Sequence, residues 1–279
     1  MEIIELVKAT LHEDIQNGDI TSNLLLDASP SEAAIIAKAE GVFFGMPILN
    51  ALKELYPGLI FKMHCRDGDG ILVGDSCCEI QGSAKDIVVI ERTLLNFLQR
   101  LCGIATTTQQ FVRALGDPNI QVLDTRKTTP LLRSLEKQAV VAGGGFNHRQ
   151  GLYDMVLVKE NHLFSYIQTH GIDSFNQLLR DYKIKFPTIS IEVEVNDFNH
   201  LNLLDFSVID IVMFDNMNMD LLLKCIAFVN ELPSKPLKEV SGNVSLDSIH
   251  QYRGIDIDRI SVGSLTHSVK AMDLSLLLK

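Results

Sequence analysis

The sequence lacks any apolar run long enough to cross a bilayer, for which a helix needs about 20 consecutive apolar residues. The first residues, Met-Glu-Ile-Ile-Glu, also lack the basic segment and the apolar segment that begin a secretory signal. These features predict neither a membrane protein nor a secreted one, and no membrane partner is expected.

Cysteine is scarce, and its positions do not suggest a site. The five cysteines are an odd number without the spacing of metal ligands, and adjacent cysteines such as Cys77 and Cys78 rarely form a disulfide. They are predicted to be reduced thiols in a cytoplasmic protein.

Positive charge is also in short supply, because the formal net charge is −10. Non-specific binding of nucleic acid needs a basic surface, so no nucleic-acid partner is expected. The average conceals a basic segment from Arg92 to Lys159, in which nine Arg or Lys stand against four Asp or Glu, a net charge of +5. A basic zone on an acidic protein favours a small polyanionic substrate, whose local concentration a focused field raises.

What the chain does contain is a series of apolar runs of strand length, each ending in polar residues. The residues that close these runs are Asp124, Lys159, Glu194, Asp215, Ser241-Gly242 and Gly263-Ser264. Amphipathic segments of helix length separate the runs, and this alternation predicts an α/β fold, a barrel with its site at the carboxyl ends of the strands. The 279 residues leave room for a smaller unit beside a barrel of about 160 residues.

The N-terminal part of the chain has a different pattern. It begins with a predicted helix over residues 3–16, and strand-like segments around residues 33–39, 59–63 and 77–80 follow. One helix is predicted from residue 86 to 101 and another from about residue 102 to 115. Arg92 lies outside the apolar stripe of the first helix, so on the sequence alone it is a solvated arginine.

Cations collect at the ends of the predicted barrel strands. They are Arg126, Lys127, Arg149 and Lys159, with His148 beside Arg149. Guanidinium groups bind carboxylates and phosphates through two parallel hydrogen bonds, and lysine adds a mobile charge. An isolated Arg or Lys is usually a surface ion-pair partner, but four at strand ends favour an anion-binding site.

Glu194 and Asp215 are the acidic candidates, since each ends a nearly all-apolar strand. A carboxylate in such a place is poorly solvated unless it meets a cation, so Mg²⁺ or ribose hydroxyls are reasonable ligands. Pairing with the lysines is the alternative. Glu192 lies on the same face of the strand as Glu194 and could replace it.

Small residues close the last two predicted strands, at Ser241-Gly242 and Gly263-Ser264. Free backbone amides at such turns bind phosphate in many barrels. Glycine at a strand-to-helix turn is also common for steric reasons, which is the alternative explanation.

A larger set of motifs carries a resemblance to a known family. In chain order they are ERTLLN (91–96), GIAT (103–106), DTRKTTP (124–130), LEK (135–137), GGGFNHR (143–149), VKENH (158–162), EVE (192–194), FDN (214–216), EVSGN (239–243) and VGSLTH (262–267). Together they cover most of the chain and resemble the quinolinate phosphoribosyltransferases, also called carboxylating nicotinate-nucleotide pyrophosphorylases. One departure is Leu131, where many relatives have glycine, and it affects only the conformation of a loop.

The resemblance implies an N-terminal α/β sandwich domain over residues 1–104. An incomplete, TIM-like α/β barrel of about six parallel strands would follow over residues 105–267. A C-terminal helix over residues 268–279 is expected to pack back on the first domain. The resemblance also implies a homodimer, or a higher assembly of dimers, in which the partner's N-terminal domain completes each active site.

The resemblance assigns a role to each candidate residue. The two carboxylates of quinolinate would be held by Arg126, His148, Arg149 and Lys159, with Arg92 reaching across the dimer interface. Lys127, Glu194 and Asp215 are the expected catalytic residues, of which Lys127 would contact phosphoribosyl pyrophosphate and the two acids its ribose and Mg²⁺. The phosphate groups would be held by Ser241, Gly242, Gly263 and His267.

The implied activity is transfer of a phosphoribosyl group from 5-phosphoribosyl 1-pyrophosphate to quinolinate with decarboxylation, a step of de novo NAD biosynthesis. Two alternatives stay open. One is the related pyridine or pyrimidine phosphoribosyltransferase of molybdate-transport operons, and the other is a catalytically silent protein that binds small anions. The full set of cations favours quinolinate over the first, and the presence of both Glu194 and Asp215 counts against the second.

Overall fold

The structure is a computed structural model that describes residues 2–279. The first part of the chain contains α1 (Ile3–Ile15), α2 (Ile20–Leu25), β1 (Pro30–Ala37), β2 (Gly41–Val42), α3 (Met46–Leu55), β3 (Ile60–Met63), β4 (Gly70–Ile71), β5 (Ser76–Ser83) and α4 (Ala84–Leu115). The second part contains β6 (Gln121–Leu123), α5 (Arg133–Ala142), β7 (Val156–Val158), α6 (Glu160–His170), α7 (Ile172–Lys185), β8 (Ile191–Val195), α8 (Phe198–Leu203), β9 (Ile211–Asp215), α9 (Met219–Asn230), β10 (Leu237–Ser241), a short 3-10 helix (Ile249–Tyr252), β11 (Arg259–Ser261), α10 (Ser264–His267) and β12 (Leu274–Leu278). Among the described residues, no helix combines the length and the apolar character needed to span a membrane.

The chain forms two compact units, each made of more than one segment. The first consists of the residues up to Gln110 with Thr128–Gly145 and Ser264–Lys279, and the second of Phe111–Lys127 and Phe146–Gly263. The predicted domain division between residues 104 and 105 stays a prediction, because a compact unit need not be a domain that folds alone.

A four-stranded antiparallel sheet lies at the centre of the first unit, in the order β12-β1-β5-β3. One prediction for this unit is wrong, because residues 274–278 of the expected C-terminal helix form strand β12. A short leucine-rich segment fits the helical period and the strand period equally well. The segment forms a strand because it pairs with the edge of β1, where Ala33 lies opposite Leu278.

Helix α4 is continuous, whereas the sequence predicts two helices that meet near residue 102. The apolar face continues through the predicted break, because Cys102 and Ile104 are both wholly buried. Gly103 lies inside the helix, where glycine costs roughly 1 kcal/mol relative to alanine. A Cβ at this position would lie 2.4 Å from the carbonyl oxygen of Lys270, so the glycine permits a close approach of that segment.

The sheet of the second unit has six parallel strands in the order β6-β11-β10-β9-β8-β7. Its first strand in the chain, β6, pairs with its last, β11, as the strands of a closed barrel do. The two edges of the sheet are β6 and β7, so the barrel is open between strands that follow each other in the chain. The predicted α/β fold with an incomplete barrel of six parallel strands and a separate N-terminal sheet is confirmed.

Strand β8 buries two acidic side chains. All five residues of β8 are buried, and two of them, Glu192 and Glu194, are acidic. Burying a carboxylate is costly unless a cation or hydrogen-bond donors meet it. The barrel must therefore bring compensating groups to these side chains, and those groups define the site.

Candidate active site

Two arginines lie close together beyond the strands of the second unit. Arg126 follows β6, and Arg149 lies in the loop before β7. Burial lowers the pKa of Arg149, and the positive charge of Arg126 lowers it further. Nη1 of Arg149 donates to the carbonyl of Met155 at 3.2 Å, whereas the buried Nε of Arg126 has no hydrogen-bond partner among residues 2–279. Two guanidinium groups that influence each other electrostatically, one with an unused donor, are suited to bind an anion that carries two negative groups.

Two lysines also follow barrel strands, Lys127 after β6 and Lys159 after β7. Lys127 is exposed, and its backbone N–H donates to Oγ1 of Thr125 at 3.1 Å, which stabilises the turn after β6. Lys159 directly follows β7 and is the N-cap residue of α6. Its side chain is exposed, and Nζ lies 4.0 Å from the carboxylate of Glu194. The ends of β6 and β7 therefore both carry cations, as the sequence predicts.

The two acidic candidates end neighbouring strands. Glu194 pairs in register with Met213, so Asp215 lies two residues further toward the loop on the adjacent strand. Burial raises the pKa of Glu194, the charge of Lys159 lowers it in part, and the carboxylate of Asp215 raises it again. Oδ2 of Asp215 accepts a hydrogen bond from Asn216 at 2.7 Å. Two nearby carboxylates with one lysine 4.0 Å away carry surplus negative charge, and their oxygen atoms fit a divalent cation such as Mg²⁺.

His148 lies in the barrel interior. Its side chain is only 5% exposed, and Nε2 lies 3.1 Å from Glu192 and 3.4 Å from Glu239. Its Nδ1 accepts the backbone N–H of Arg149 at 2.8 Å. Burial lowers the pKa of His148, but the two carboxylates raise it more, to about 9. Glu192 therefore belongs with His148 in this structure, and its predicted role as a substitute for Glu194 has no support from its contacts.

The loops after β9 and β10 pack against each other. Gly242 follows Ser241 with a φ of +95°, a conformation that favours glycine, and a Cβ there would lie 2.2 Å from Oδ1 of Asn216. The backbone N–H of Asn216 donates to the carbonyl of Ser241 at 3.0 Å, and Nδ2 of Asn243 donates to Oδ1 of Asn216 at 3.0 Å. Gly263 occupies the corresponding place after β11. The predicted phosphate-binding turns are thus both strand-to-helix turns of the same rim.

Two predicted site residues, Arg92 and His267, belong to the first unit. Arg92 lies on α4 with its side chain 61% exposed, and Nη2 is 4.0 Å from the carboxylate of Glu91. His267 is exposed at the end of α10, with Nδ1 2.7 Å from Oγ of Ser268. The roles given to these two residues stay predictions, as do the roles given to the cations and acids of the second unit.

Sequence reasoning does not identify two residues of the barrel interior, Glu239 and Arg259. Glu239 is wholly buried on β10, and Nη1 of Arg259 on β11 lies 3.6 Å from its carboxylate. The signal for Glu239 is its place in the middle of a barrel strand, where an acidic residue has no access to water. The signal is weak without the structure, because Lys238 precedes it and suggests an exposed strand.

An open parallel barrel with two guanidinium groups and a separate pair of carboxylates at its strand ends defines a class of enzyme. Such enzymes bind a small organic anion next to a group that is a cation or that becomes positively charged during the reaction. Family models identify the family within this class: "Quinolinate phosphoribosyl transferase, C-terminal domain" matches residues 104–277, and the corresponding N-terminal domain matches residues 19–102. The chain belongs to the quinolinate phosphoribosyltransferase family.

Individual relatives carry names from the same family. The chain is 38% identical over 284 residues to the "Probable nicotinate-nucleotide pyrophosphorylase (carboxylating)" of Bacillus subtilis (strain 168), covering 99% of this chain and 94% of that protein. It is 35% identical over 295 residues to "Quinolinate phosphoribosyltransferase (decarboxylating) 2b, mitochondrial" of Nicotiana tabacum, covering 99% and 82%. The crystal structure of NadC from Streptococcus pyogenes is similar with a TM-score of 0.90 at 35% identity, covering 99% of this chain and 97% of that one.

Proposed function

We propose that the protein transfers the phosphoribosyl group of 5-phosphoribosyl 1-pyrophosphate to quinolinate and releases one carboxylate as CO₂. The products are nicotinate mononucleotide, pyrophosphate and CO₂, so the reaction belongs to de novo NAD biosynthesis. The observation that carries the proposal is the pair of guanidinium groups, Arg126 and Arg149, at the barrel rim of a chain from this family.

Quinolinate has two adjacent carboxylates on a pyridine ring, which match two adjacent arginines. The unused Nε of Arg126 is a donor for one carboxylate. The pKa of Arg149 is lowered by burial and then by Arg126, and a bound dianion would relieve that repulsion. Lys159, exposed after β7, would add a third positive charge to the same pocket.

Glu194 and Asp215 are assigned to the ribose and the Mg²⁺ of the donor. Their surplus negative charge supports this role, since burial and the Asp215 carboxylate both raise the pKa of Glu194. Bound Mg²⁺ would neutralise charge on the leaving pyrophosphate. The two carboxylates themselves would stabilise the positive charge that develops at the anomeric carbon, and they need no movement to do so.

The donor's phosphate groups are assigned to the turns after the late strands and to one lysine. Gly242 and Gly263 would present backbone N–H groups, with the Ser241 hydroxyl beside them. Lys127, exposed at the end of β6, would contact the pyrophosphate. His267 is assigned a phosphate as well, on the family resemblance alone.

The chemistry requires no nucleophilic side chain. The ring nitrogen of quinolinate forms a bond to the anomeric carbon while the bond from that carbon to pyrophosphate breaks. The carboxylate next to the nitrogen then leaves as CO₂, and the ring carbon takes up a proton in its place. The tasks of the protein are therefore to align two anions, hold the leaving group and stabilise the cationic transition state.

Quinolinate labelled in the carboxylate next to the ring nitrogen tests this function. Release of labelled CO₂ should depend on both the phosphoribosyl donor and Mg²⁺, with one pyrophosphate formed for each CO₂. A sample without donor is the control. Binding of quinolinate without release of label would indicate a silent anion-binding protein, and faster use of another pyridine or pyrimidine would indicate the molybdate-operon enzyme.

A homodimer with shared active sites is the assembly we propose. Arg92 supports it, because its side chain is 61% exposed while Leu94 and Leu98 of the same helix are wholly buried. The guanidinium therefore points away from the core of its own unit. In a two-fold dimer, each Arg92 would reach the quinolinate site of the partner.

Mixed dimers test the shared site. Arg92→Ala and Lys159→Ala should each be inactive alone, but in a heterodimer one site receives both defects and the other neither. Random mixing makes about half of the dimers heterodimers, so activity should recover to roughly a quarter of wild type. Mixing Arg149→Ala with Lys159→Ala is the matched control, because both defects lie in the barrel and no intact site forms. No recovery in demonstrated Arg92/Lys159 heterodimers would show that Arg92 does not act across the interface.

The location of the protein in the cell stays a prediction. All five cysteines, which lie within the described residues, are buried and free, as the cytoplasmic prediction requires. The name of the tobacco relative places that protein in mitochondria.

A further inference from the structure

The barrel interior contains a cluster of four ionisable side chains, Asp124, His148, Glu192 and Glu239, all buried. Glu192 is on β8 and Glu239 is on β10, with β9 between them. Alternate strands of such a barrel contribute to the same layer of interior side chains, which is how these residues meet. Asp124, directly after β6, belongs to the same alternate set and accepts the backbone N–H of His148 at 2.9 Å.

This cluster has the composition of a metal site, since one ligand atom from each of His148, Glu192 and Glu239 lies within 4.8 Å of the others. The hydrogen bonds of the ring argue against that use. Nδ1 of His148 accepts the N–H of Arg149 at 2.8 Å, so the ring proton is on Nε2. A metal-binding histidine has the opposite arrangement, in which the bound nitrogen lacks a proton and the other N–H donates. Nε2 therefore carries the ring proton and faces the two carboxylates, at 3.1 and 3.4 Å.

The charge of the cluster is compensated in another way. Nη1 of Arg259 lies 3.6 Å from Oε2 of Glu239 and brings one positive charge. A second proton on the His148 ring would bring another positive charge. Burial lowers the pKa of His148, but the two carboxylates raise it more, to about 9, which favours this second proton. That proton would sit on Nδ1 and face the N–H of Arg149. The 2.8 Å hydrogen bond requires an acceptor at Nδ1, so the ring is neutral in this structure, with its proton on Nε2.

Two consecutive backbone N–H groups donate hydrogen bonds to side chains of the barrel interior. That of His148 is bound by Asp124, and that of Arg149 is bound by the His148 ring. The Arg149 guanidinium is carried by this anchored backbone, and the positive charge of Arg126 lowers its pKa. A guanidinium held beside a like charge must be constrained by its surroundings, and the ring of His148 is part of that constraint.

We infer that Glu192 and Glu239 are positioning residues for substrate binding: their carboxylates, 3.1 and 3.4 Å from Nε2, hold the His148 ring in place, and the ring fixes the backbone of Arg149. This inference rests on the proposed function, in which Arg149 binds a carboxylate of quinolinate. It also gives His148 a new role. The histidine serves the anion site by holding Arg149, with both ring nitrogens engaged inside the protein.

Variants at the two glutamates separate this role from general stabilisation. Glu192→Leu and Glu239→Leu remove the acceptors, whereas Glu192→Gln and Glu239→Gln keep an amide oxygen that can accept from Nε2. The leucine variants should raise the quinolinate KM at least about tenfold, because a small misplacement of a binding group has effects of this size. The KM for the donor should change less than twofold, and the glutamine variants should recover most of the quinolinate affinity.

Glu231→Leu, at an exposed position after α9, is the control for loss of an acidic residue in the same unit. Calorimetry with quinolinate alone measures binding without turnover. If wild type fails to bind quinolinate, the proposed function fails. If wild type binds and both leucine variants bind equally well, the positioning role is overturned while the function stands.

The tautomer of the His148 ring can be measured in the wild-type protein, so this test does not depend on whether the glutamate variants fold. Nitrogen-15 labelling of histidine distinguishes a protonated ring nitrogen from an unprotonated one in a proton–nitrogen NMR spectrum. We expect His148, assigned by its loss in His148→Gln, to be protonated at Nε2 and unprotonated at Nδ1 in the whole protein. A neutral ring with its proton on Nδ1 would overturn the inference and would make the cluster suited to a metal.

Discussion

Arg126→Met should make the protein more stable while it loses quinolinate. Methionine keeps an apolar stem of similar length and removes a guanidinium whose buried Nε has no hydrogen-bond partner among residues 2–279. An unsatisfied buried polar atom costs about 1–3 kcal/mol. Arg126 is only half-buried, so we expect the lower end, a gain of about 1 kcal/mol in the free energy of unfolding.

The loss of binding should be larger than this gain. Two hydrogen bonds to a charged carboxylate contribute about 1.5–3 kcal/mol each, so removing both should cost at least about 3 kcal/mol. Since about 1.4 kcal/mol corresponds to a factor of ten, quinolinate affinity should fall by more than about 100-fold. Donor affinity should stay near that of wild type.

Arg149→Met is the matched comparison. It removes the same charge repulsion but also the hydrogen bond from Nη1 to the Met155 carbonyl at 3.2 Å, so stability should not rise. Urea unfolding gives the two stabilities, and calorimetry gives quinolinate binding. A fall of more than about 1 kcal/mol in the stability of Arg126→Met would contradict this prediction, because it would show that the guanidinium is satisfied in the free protein.

Three further outcomes are expected. Glu194→Gln and Asp215→Asn should lower turnover by about 100-fold while quinolinate binding changes little, and unchanged turnover in steady-state assays would return these acids to a structural role. Arg100→Met should lower the free energy of unfolding by about 3–5 kcal/mol in urea, because its guanidinium lies 2.7 Å from the wholly buried carboxylate of Glu136. Gly242→Ala should weaken donor binding by about tenfold, measured by calorimetry, because its φ of +95° disfavours a side chain. An equal loss of quinolinate binding would count against its assignment to phosphate.

Much of the fold could be predicted because the barrel strands are short apolar runs with a polar residue at the end. Glu194 and Asp215 illustrate why such a pattern locates a site, since the carboxyl ends of parallel strands meet at one rim. The wrong prediction of a C-terminal helix has the opposite cause. The segment Leu274–Leu278 has no pattern of its own that excludes a strand, and only the free edge of β1 decides its conformation.

The chemistry of the site was also visible in the sequence to the extent that it depends on residue type. Arg126 and Arg149 could be identified as anion-binding residues because several cations together at strand ends favour an anion-binding site. Their mutual repulsion and the unused donor of Arg126 could not be predicted, because both depend on a distance between two loops that the sequence does not contain.

The order of residues is enough to establish the α/β class, the cations and acids at the strand ends and the family of the chain. Which buried acid contacts which partner depends on the three-dimensional arrangement of the strands and loops. Glu192 and Glu194 share one strand and one face, yet Glu192 meets His148 while Glu194 meets Lys159. The physical reason is that a period of two along a strand tells which side chains enter the barrel, whereas the groups they meet come from other strands and loops. The open barrel of β6 to β11 brings those groups together.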